Sequence, residues 1–239
     1  MATTLAEAIA SVEGRFGTHV LARGAAVERR SAERRIETGT SLDALRPVLA
    51  SGAPLAFIGP GGAGATTLAH RAVAGAQRDG GAVLWVDPSA TFDPLAAVRA
   101  GVDLARLIVV RAQTRDGVLL AAGAALRSDG FRLAVVDTGP RFAAVQHVGI
   151  DDLAPLLAIV RSSPAALLVV SETRPVRVAI PTLAFARVAW ERRFGRTTGW
   201  VSSVGERAVF HFDALGRELH DVGMRTGSTA STGSLERTG

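Results

Sequence analysis

The run from Gly59 to Thr67 carries the clearest chemistry in the sequence, because it has the glycine spacing of a phosphate-binding loop. The general pattern is G-x-x-x-x-G-K-[ST]. Its backbone N–H groups surround the phosphates, the lysine contacts the β- and γ-phosphates, and the hydroxyl holds Mg²⁺. Ala65 stands at the lysine position here, so the sequence predicts a phosphate-binding architecture whose hydrolytic chemistry is lost. The candidate phosphate-site residues are Gly59, Gly61, Gly62, Gly64, Ala65, Thr66, Thr67 and Asp137.

The missing lysine has a definable cost. All 27 basic residues are arginine, so no lysine elsewhere in the chain can supply the charge. A charge-assisted hydrogen bond to phosphate contributes roughly 1.5–3 kcal/mol to binding, and more to a transition state that gathers charge on the phosphoryl oxygens. The glycine cradle and the helix N-terminus do not depend on the side chain at position 65. We therefore expect that no cofactor is required, while weak binding of ATP or ADP with Mg²⁺ stays open.

Two acidic strand ends and one serine bear on hydrolysis. Asp137 ends an apolar stretch, and a carboxylate at such a point can help to hold Mg²⁺ beside the phosphates. The alternative is that Asp137 caps the turn formed by residues 138–140. Asp87 ends another apolar run, and Ser89 follows it where a hydrolase needs a carboxylate to orient the attacking water. A serine cannot act as that base, so we assign no catalytic residue and expect a pseudo-ATPase.

Composition excludes several other classes of function. Cysteine is absent, which excludes disulfides and thiolate metal sites. The five histidines show no metal-ligand spacing and no serine-hydrolase motif occurs, so we expect no metal centre. The net charge of +5 only weakly favours an acidic partner. Neither a long apolar run nor a charged-then-apolar leader is present, so we expect a cytoplasmic protein without a membrane partner, with association with the nucleoid left open.

The stretch from residue 174 to 196 combines arginines with aromatic residues. Its one acidic residue after position 174 is Glu191, and Phe185, Trp190 and Phe194 are interleaved. Arginines and aromatics together can follow a phosphate backbone and stack on bases, which would suit single-stranded DNA. The alternative is an edge strand whose charges prevent association with other sheets. The DNA-binding candidates are Arg174, Arg177, Arg187, Arg192, Arg193 and Arg196.

Alternating strand and helix patterns predict an α/β fold with a mostly parallel central sheet and helices on both faces. The predicted buried strands are 54–58, 82–86, 107–110, 131–136 and 165–170. Helical patterns are predicted over 41–50, 67–77, 117–127 and 151–161, and a short helix begins at Asp93-Pro94. Shorter strands over 184–194, 199–204 and 207–212 are predicted to run antiparallel at one edge. We divide the chain into an N-terminal helix and linker (1–35), a core (36–223) and a disordered tail (224–239).

The first residues form an amphipathic pattern over 3–17. Apolar residues recur there at three- and four-residue steps, which predicts a helix with one apolar stripe. The stripe either packs on its own domain or docks on a neighbouring subunit. The candidate docking residues are Leu5, Ile9, Val12 and Phe16.

Taken in order, these motifs resemble the RecA family of recombinases over residues 4–195. Residues 5–17 resemble the helix that joins RecA subunits in a filament, and residues 36–43 resemble the family's STGSLSLD stretch. Residues 59–67 match its GPESSGKTT loop, and residues 76–80 match AAQREGK. Residues 87–103 match DAEHALDP and LGVD. The resemblance implies a RecA-like phosphate-loop core.

The departures from the family imply lost activity. Ala65 replaces the family's lysine, and Ser89 replaces its water-activating glutamate. Ser171-Glu-Thr-Arg174 stands in place of the NQIR sensor, and the DNA-binding loop is reduced to residues 175–181. Shortened RecA-like proteins include the ImuA-type accessories of translesion mutagenesis. The resemblance therefore implies an inactive accessory of DNA repair or the SOS response, with RecA, a RecA-like subunit or an error-prone polymerase complex as partner. An ATP-independent single-stranded DNA-binding module and a slow ATPase are the alternatives.

Overall fold

The computed structural model describes residues 35–78, 80–139, 148–194, 196–205, 208–213 and 218–219. The predicted docking helix with Leu5, Ile9, Val12 and Phe16 lies outside the described residues, as does the predicted tail 224–239. In the part described, no helix is both long enough and apolar enough to cross a membrane.

The described strands form one sheet with the order β3-β2-β4-β5-β1-β6-β7-β8-β9. Neighbours from β3 to β6 are parallel, and neighbours from β6 to β9 are antiparallel. This confirms the predicted α/β class with antiparallel strands at one edge. The strands are β1 (Pro54–Ile58), β2 (Ala82–Val86), β3 (Leu107–Val110), β4 (Phe131–Asp137), β5 (Ala166–Ser171), β6 (Thr182–Arg193), β7 (Arg196–Val204), β8 (Ala208–Asp213) and β9 (Glu218–Leu219).

Four α-helices lie in the described residues: α1 (Ala65–Arg78), α2 (Pro94–Arg99), α3 (Arg115–Arg127) and α4 (Ala154–Val160). Asp93 caps α2 by accepting from the N–H groups of Leu95 and Ala96, and Thr114 caps α3. These caps explain why both helices begin where they do.

The predicted helix over 41–50 is wrong. Only a 3-10 turn, Ser41–Ala44, forms there, with Thr40 as its cap. Pro47 lacks an N–H and disfavours helical geometry in the residue before it, so the chain cannot continue as a helix. The predicted helix over 151–161 is a 3-10 turn, Ile150–Leu153, followed by α4, and a proline in the first turn of α4 marks the change.

Two apolar layers enclose the parallel sheet. On one face α1 packs over a cluster that contains Phe57, Leu68 and Trp85. On the other face α3 and α4 contribute to a cluster that contains Leu126 and Leu156. Because both faces are covered, the central strands are apolar along nearly their whole length, which is why they could be predicted from the sequence.

Strand β6 connects the parallel sheet to the antiparallel edge. Thr182, Leu183 and Ala184 pair with the last three residues of β1. The rest of β6 continues past the end of β1, beside the loop that follows it. The strands β6, β7 and β8 therefore form a wall next to the residues that the sequence identified as a phosphate loop.

Candidate phosphate-binding cleft

The loop between β1 and α1 has the backbone geometry of an anion cradle. Gly62 and Gly64 have φ angles of +76° and +93°, which residues that carry a side chain rarely adopt. Such turns direct successive backbone N–H groups towards one point, and the N-terminus of α1 adds its positive dipole end. Thr66 is exposed on the first turn of α1, whereas Ala65 is only 6% exposed and brings no polar atom. The cradle is kept and its lysine is absent.

The loop forms the floor of a cleft of about 410 Å³. The wall strands close one side of it. Ser202 Oγ donates a hydrogen bond of 2.7 Å to the carbonyl oxygen of Ala63, which fixes β7 against the loop. The Trp200 ring stacks on Phe212 with 5.0 Å between centroids. The Nε1 atom of Trp200 is buried without a hydrogen-bond partner among the described residues.

A β-bulge in β6 turns two side chains of this wall towards the loop. Arg187 pairs with Ser202 and Trp190 pairs with Trp200, while Val188 is an extra residue between the pairs. Positions 200 and 202 share one face of β7, so Arg187 and Trp190 share the matching face of β6 although they are three residues apart.

Arg187 lies at the mouth of the phosphate loop. Its Cζ atom sits 4.7 Å from the centre of the Trp190 ring, a cation–π contact. A Cβ atom added to Gly62 would lie 2.9 Å from Arg187 Nη1. The guanidinium therefore approaches the loop from the wall, on strand β6, and not from position 65.

Two carboxylates line the same cleft. Glu172 follows β5, and its Oε1 accepts a hydrogen bond of 3.2 Å from the N–H of Gly61. Asp137 ends β4 and accepts from the N–H of Gly139 at 3.0 Å. Burial raises the pKa of Asp137 to about 6, the Gly139 hydrogen bond opposes that shift, and the charges of Asp87 and Glu172 add to it. Among the described residues, the cleft is thus lined by two carboxylates and by no arginine or lysine side chain.

The residues present fit a magnesium-bound nucleotide. Hydroxyl and carboxylate oxygens are ligands that Mg²⁺ accepts, and both Thr66 and Asp137 line the cleft. These two would hold the ion, and the loop backbone would hold the phosphates. No group of three or more metal-ligating side chains occurs within the described ranges.

Ser89 connects two neighbouring loops, and Asp87 caps its own loop. Ser89 Oγ donates to the carbonyl oxygen of Thr138 at 3.3 Å, and Ser89 is only 8% exposed. Asp87 is fully buried and accepts from the N–H groups of Thr91 and Phe92. Ser89 is not among the residues that line the cleft.

The structure describes the side chains of four of the six predicted DNA-binding arginines. Arg187 lies beside Gly62 of the loop, and Arg174, Arg177 and Arg196 are exposed. The backbone N–H of Arg177 is bound by Asp151 at 2.8 Å. The side chains of Arg192 and Arg193 lie outside the described part. Contact with single-stranded DNA stays a prediction.

Residues 3–150 match the family model of the RecA N-terminal domain. The chain belongs to the RecA family. It is 31% identical to the protein RecA of Chloroflexus aggregans over 137 residues, which cover 56% of this chain and 39% of that relative. It is 34% identical to the protein RecA of Acidiphilium cryptum over 134 residues, which cover 55% of this chain and 39% of the relative. The chain therefore spans about 39% of the length of these curated RecA proteins.

Two positions in this RecA-family cleft were not recognised from the sequence. Glu172 was read only as a lost sensor, yet its carboxylate contacts the loop. Arg187 was grouped with residues that contact DNA, yet it lies at the phosphate loop. The pattern of arginines and aromatics singled out Arg187 as a candidate but could not indicate which surface it faces.

Proposed function

We propose that this protein is a RecA-family accessory of DNA repair or translesion mutagenesis that does not turn over ATP. It acts by contact with RecA, a RecA-like subunit or an error-prone polymerase complex. The observation that carries the proposal is a phosphate loop of intact backbone geometry with a buried alanine, Ala65, at its lysine position. The burial of Ser89 outside the cleft supports it, because neither the cation nor the base of hydrolysis is supplied at its usual place.

The first test is phosphate release from ATP with Mg²⁺, in the presence and absence of single-stranded DNA. We expect no release above a buffer blank. The matched variant is Thr66→Ala, which removes the hydroxyl that would hold the ion. It should release no more and no less phosphate than the wild type. Release that disappears in Thr66→Ala would contradict the proposal, because it would come from this cleft and not from a contaminant.

The second test concerns the partner. RecA filaments on single-stranded DNA should capture the full chain, and a Leu5→Asp/Phe16→Asp variant should lose that capture by on the order of tenfold or more, since two charges would enter an apolar contact. Glu7→Ala/Glu13→Ala changes two residues outside the stripe and serves as the control. If the stripe variant and the control are captured equally, the docking role of this helix is wrong.

A further inference from the structure

Arg187 brings positive charge to a phosphate loop that lacks its own. Its Nη1 atom lies 2.9 Å from the position of a Cβ on Gly62, so the guanidinium borders the exposed side of the loop. None of the ion pairs among the described residues involves Arg187, which contacts the Trp190 ring. The arginine is therefore available for an anion at the side of the loop that Gly62 forms. The buried Trp200 Nε1–H beside Gly64 is a further donor without an acceptor in the part described.

Glu172 brings the opposite charge to the same loop. Its carboxylate accepts from the Gly61 N–H at 3.2 Å, so one donor of the cradle is already used by the protein itself. Asp137 also lines the cleft, but its carboxylate would hold the Mg²⁺ ion. A phosphate that reaches Glu172 meets repulsion, whereas a phosphate seated deeper in the loop meets backbone N–H groups.

The number of phosphates decides the balance between these effects. A phosphate loop holds the α- and β-phosphates through its backbone, and the lysine reaches the β- and γ-phosphates. With Ala65 in the lysine position, the γ-phosphate loses the lysine, and the carboxylate of Glu172, which accepts from the N–H of Gly61, remains as a like charge beside the loop. The first two phosphates keep the cradle, and Arg187 borders the loop at Gly62.

We propose that this cleft binds a nucleoside diphosphate in preference to a triphosphate, with Arg187 supplying the cation and Glu172 opposing the third phosphate. The inference rests on the proposed function, because a protein that does not turn over ATP can keep its phosphate loop as a binding site. Glu172 is then the residue that sets the specificity of the site.

Calorimetry and tryptophan fluorescence with ADP and with ATP, at the same free Mg²⁺ concentration, test the proposal. Trp190 and Trp200, two of the three tryptophans, line the cleft, so the emission should change when the cleft is occupied. We expect ADP to bind on the order of tenfold more tightly than ATP. Arg187→Ala should weaken ADP binding by on the order of tenfold, since a charge-assisted hydrogen bond is lost, and Arg187→Lys should recover part of it.

Glu172→Gln keeps an acceptor for Gly61 and removes the charge. It should tighten ATP binding by on the order of tenfold while ADP affinity changes less, so the preference shrinks. Arg161→Ala and Asp129→Asn remove exposed charges that do not line the cleft and should keep the wild-type preference.

Equal or tighter binding of ATP by the wild type would overturn the proposal, and so would an unchanged ADP affinity in Arg187→Ala. The comparison of ADP and ATP affinity uses the wild-type protein, so a folding defect in a variant cannot affect it. If neither ADP nor ATP binds detectably, this inference is overturned and the proposed function is unaffected. Release of phosphate that depends on Thr66 overturns the proposed function, even where ADP remains the tighter ligand.

Discussion

Asp137→Asn should increase the free energy of unfolding by up to about 3 kcal/mol near pH 7.5. Burial foremost, and the charges of Asp87 and Glu172, raise the pKa of this carboxyl from 3.8 to about 6. Each pKa unit corresponds to about 1.4 kcal/mol, so ionised Asp137 destabilises the fold at neutral pH. Asparagine keeps the oxygen that accepts from Gly139 and removes the charge. For a domain of this size the gain corresponds to a rise in Tm of roughly 6–12 °C.

The pH dependence of this gain identifies its cause. The native state holds the Asp137 proton more tightly than the unfolded state does, so the stabilisation from protonation is complete below about pH 3.8 and is lost as the pH rises through about 6. The difference between Asp137→Asn and wild type should therefore be large at pH 7.5 and close to zero at pH 4. Urea unfolding at both pH values measures it. An equal increase in the free energy of unfolding at both pH values would show that packing is the cause. Asp129 is exposed, so Asp129→Asn is the control and should give no increase at either pH.

The second large effect is expected at His70 in α1. This side chain is 4% exposed, contacts the rings of Trp85 and Phe92, and leaves its Nε2 atom without a partner among the described residues. Burial lowers its pKa from 6.5 to about 4, although the charge of Asp93 opposes the shift. Between these two pKa values, His70 is protonated in the unfolded chain and neutral in the native state. Taken alone, His70 should therefore lower the free energy of unfolding by up to about 3 kcal/mol between pH 6.5 and pH 4.

His70→Leu should remove this acid sensitivity and add about 1–3 kcal/mol at pH 7.5, since the unsatisfied buried nitrogen is gone. His70→Gln is the matched control. It cannot titrate, so it should also lose the acid-dependent fall, but it keeps a buried polar group and should not gain at pH 7.5. Unfolding free energies at pH 7.5, 6 and 4.5 separate these outcomes. A wild-type slope retained in His70→Leu would show that another group is responsible.

These two groups oppose each other between pH 4 and pH 6. Rising pH in this window destabilises the native state through Asp137 and stabilises it through His70. The wild type should consequently show little change of stability there, and each single variant should reveal the slope that the other residue contributes.

The fold was predictable wherever burial left a direct pattern. The five apolar strands were predicted within about a residue of their bounds, because strands covered on both faces are apolar throughout. The structure of residues 41–50 was predicted wrongly. The leucines there have helical spacing, but Pro47 prevents the helix from continuing. Local apolar spacing is weak evidence where a proline interrupts it.

The site was predictable only in its local part. The loop from Gly59 to Thr67 has fixed spacing and could be identified directly. The positions of Arg187 and Glu172 depend on how β6 and β5 lie beside that loop, which is a property of strand register and tertiary packing. A sequence pattern shows that such residues are charged and near aromatics, but not which partner they meet.

The bulge at Val188 has a consequence for how this cleft can vary between relatives. The ladder pairs Arg187 with Ser202 and Ala189 with Val201, so the extra residue is absorbed within one step of the strand. Loss of that one codon would leave regular pairing from Arg187 to Trp190, with both side chains still on the face towards the phosphate loop. Proteins that keep this arginine and tryptophan can therefore differ in the spacing between them, and descent from a common ancestor need not preserve that spacing.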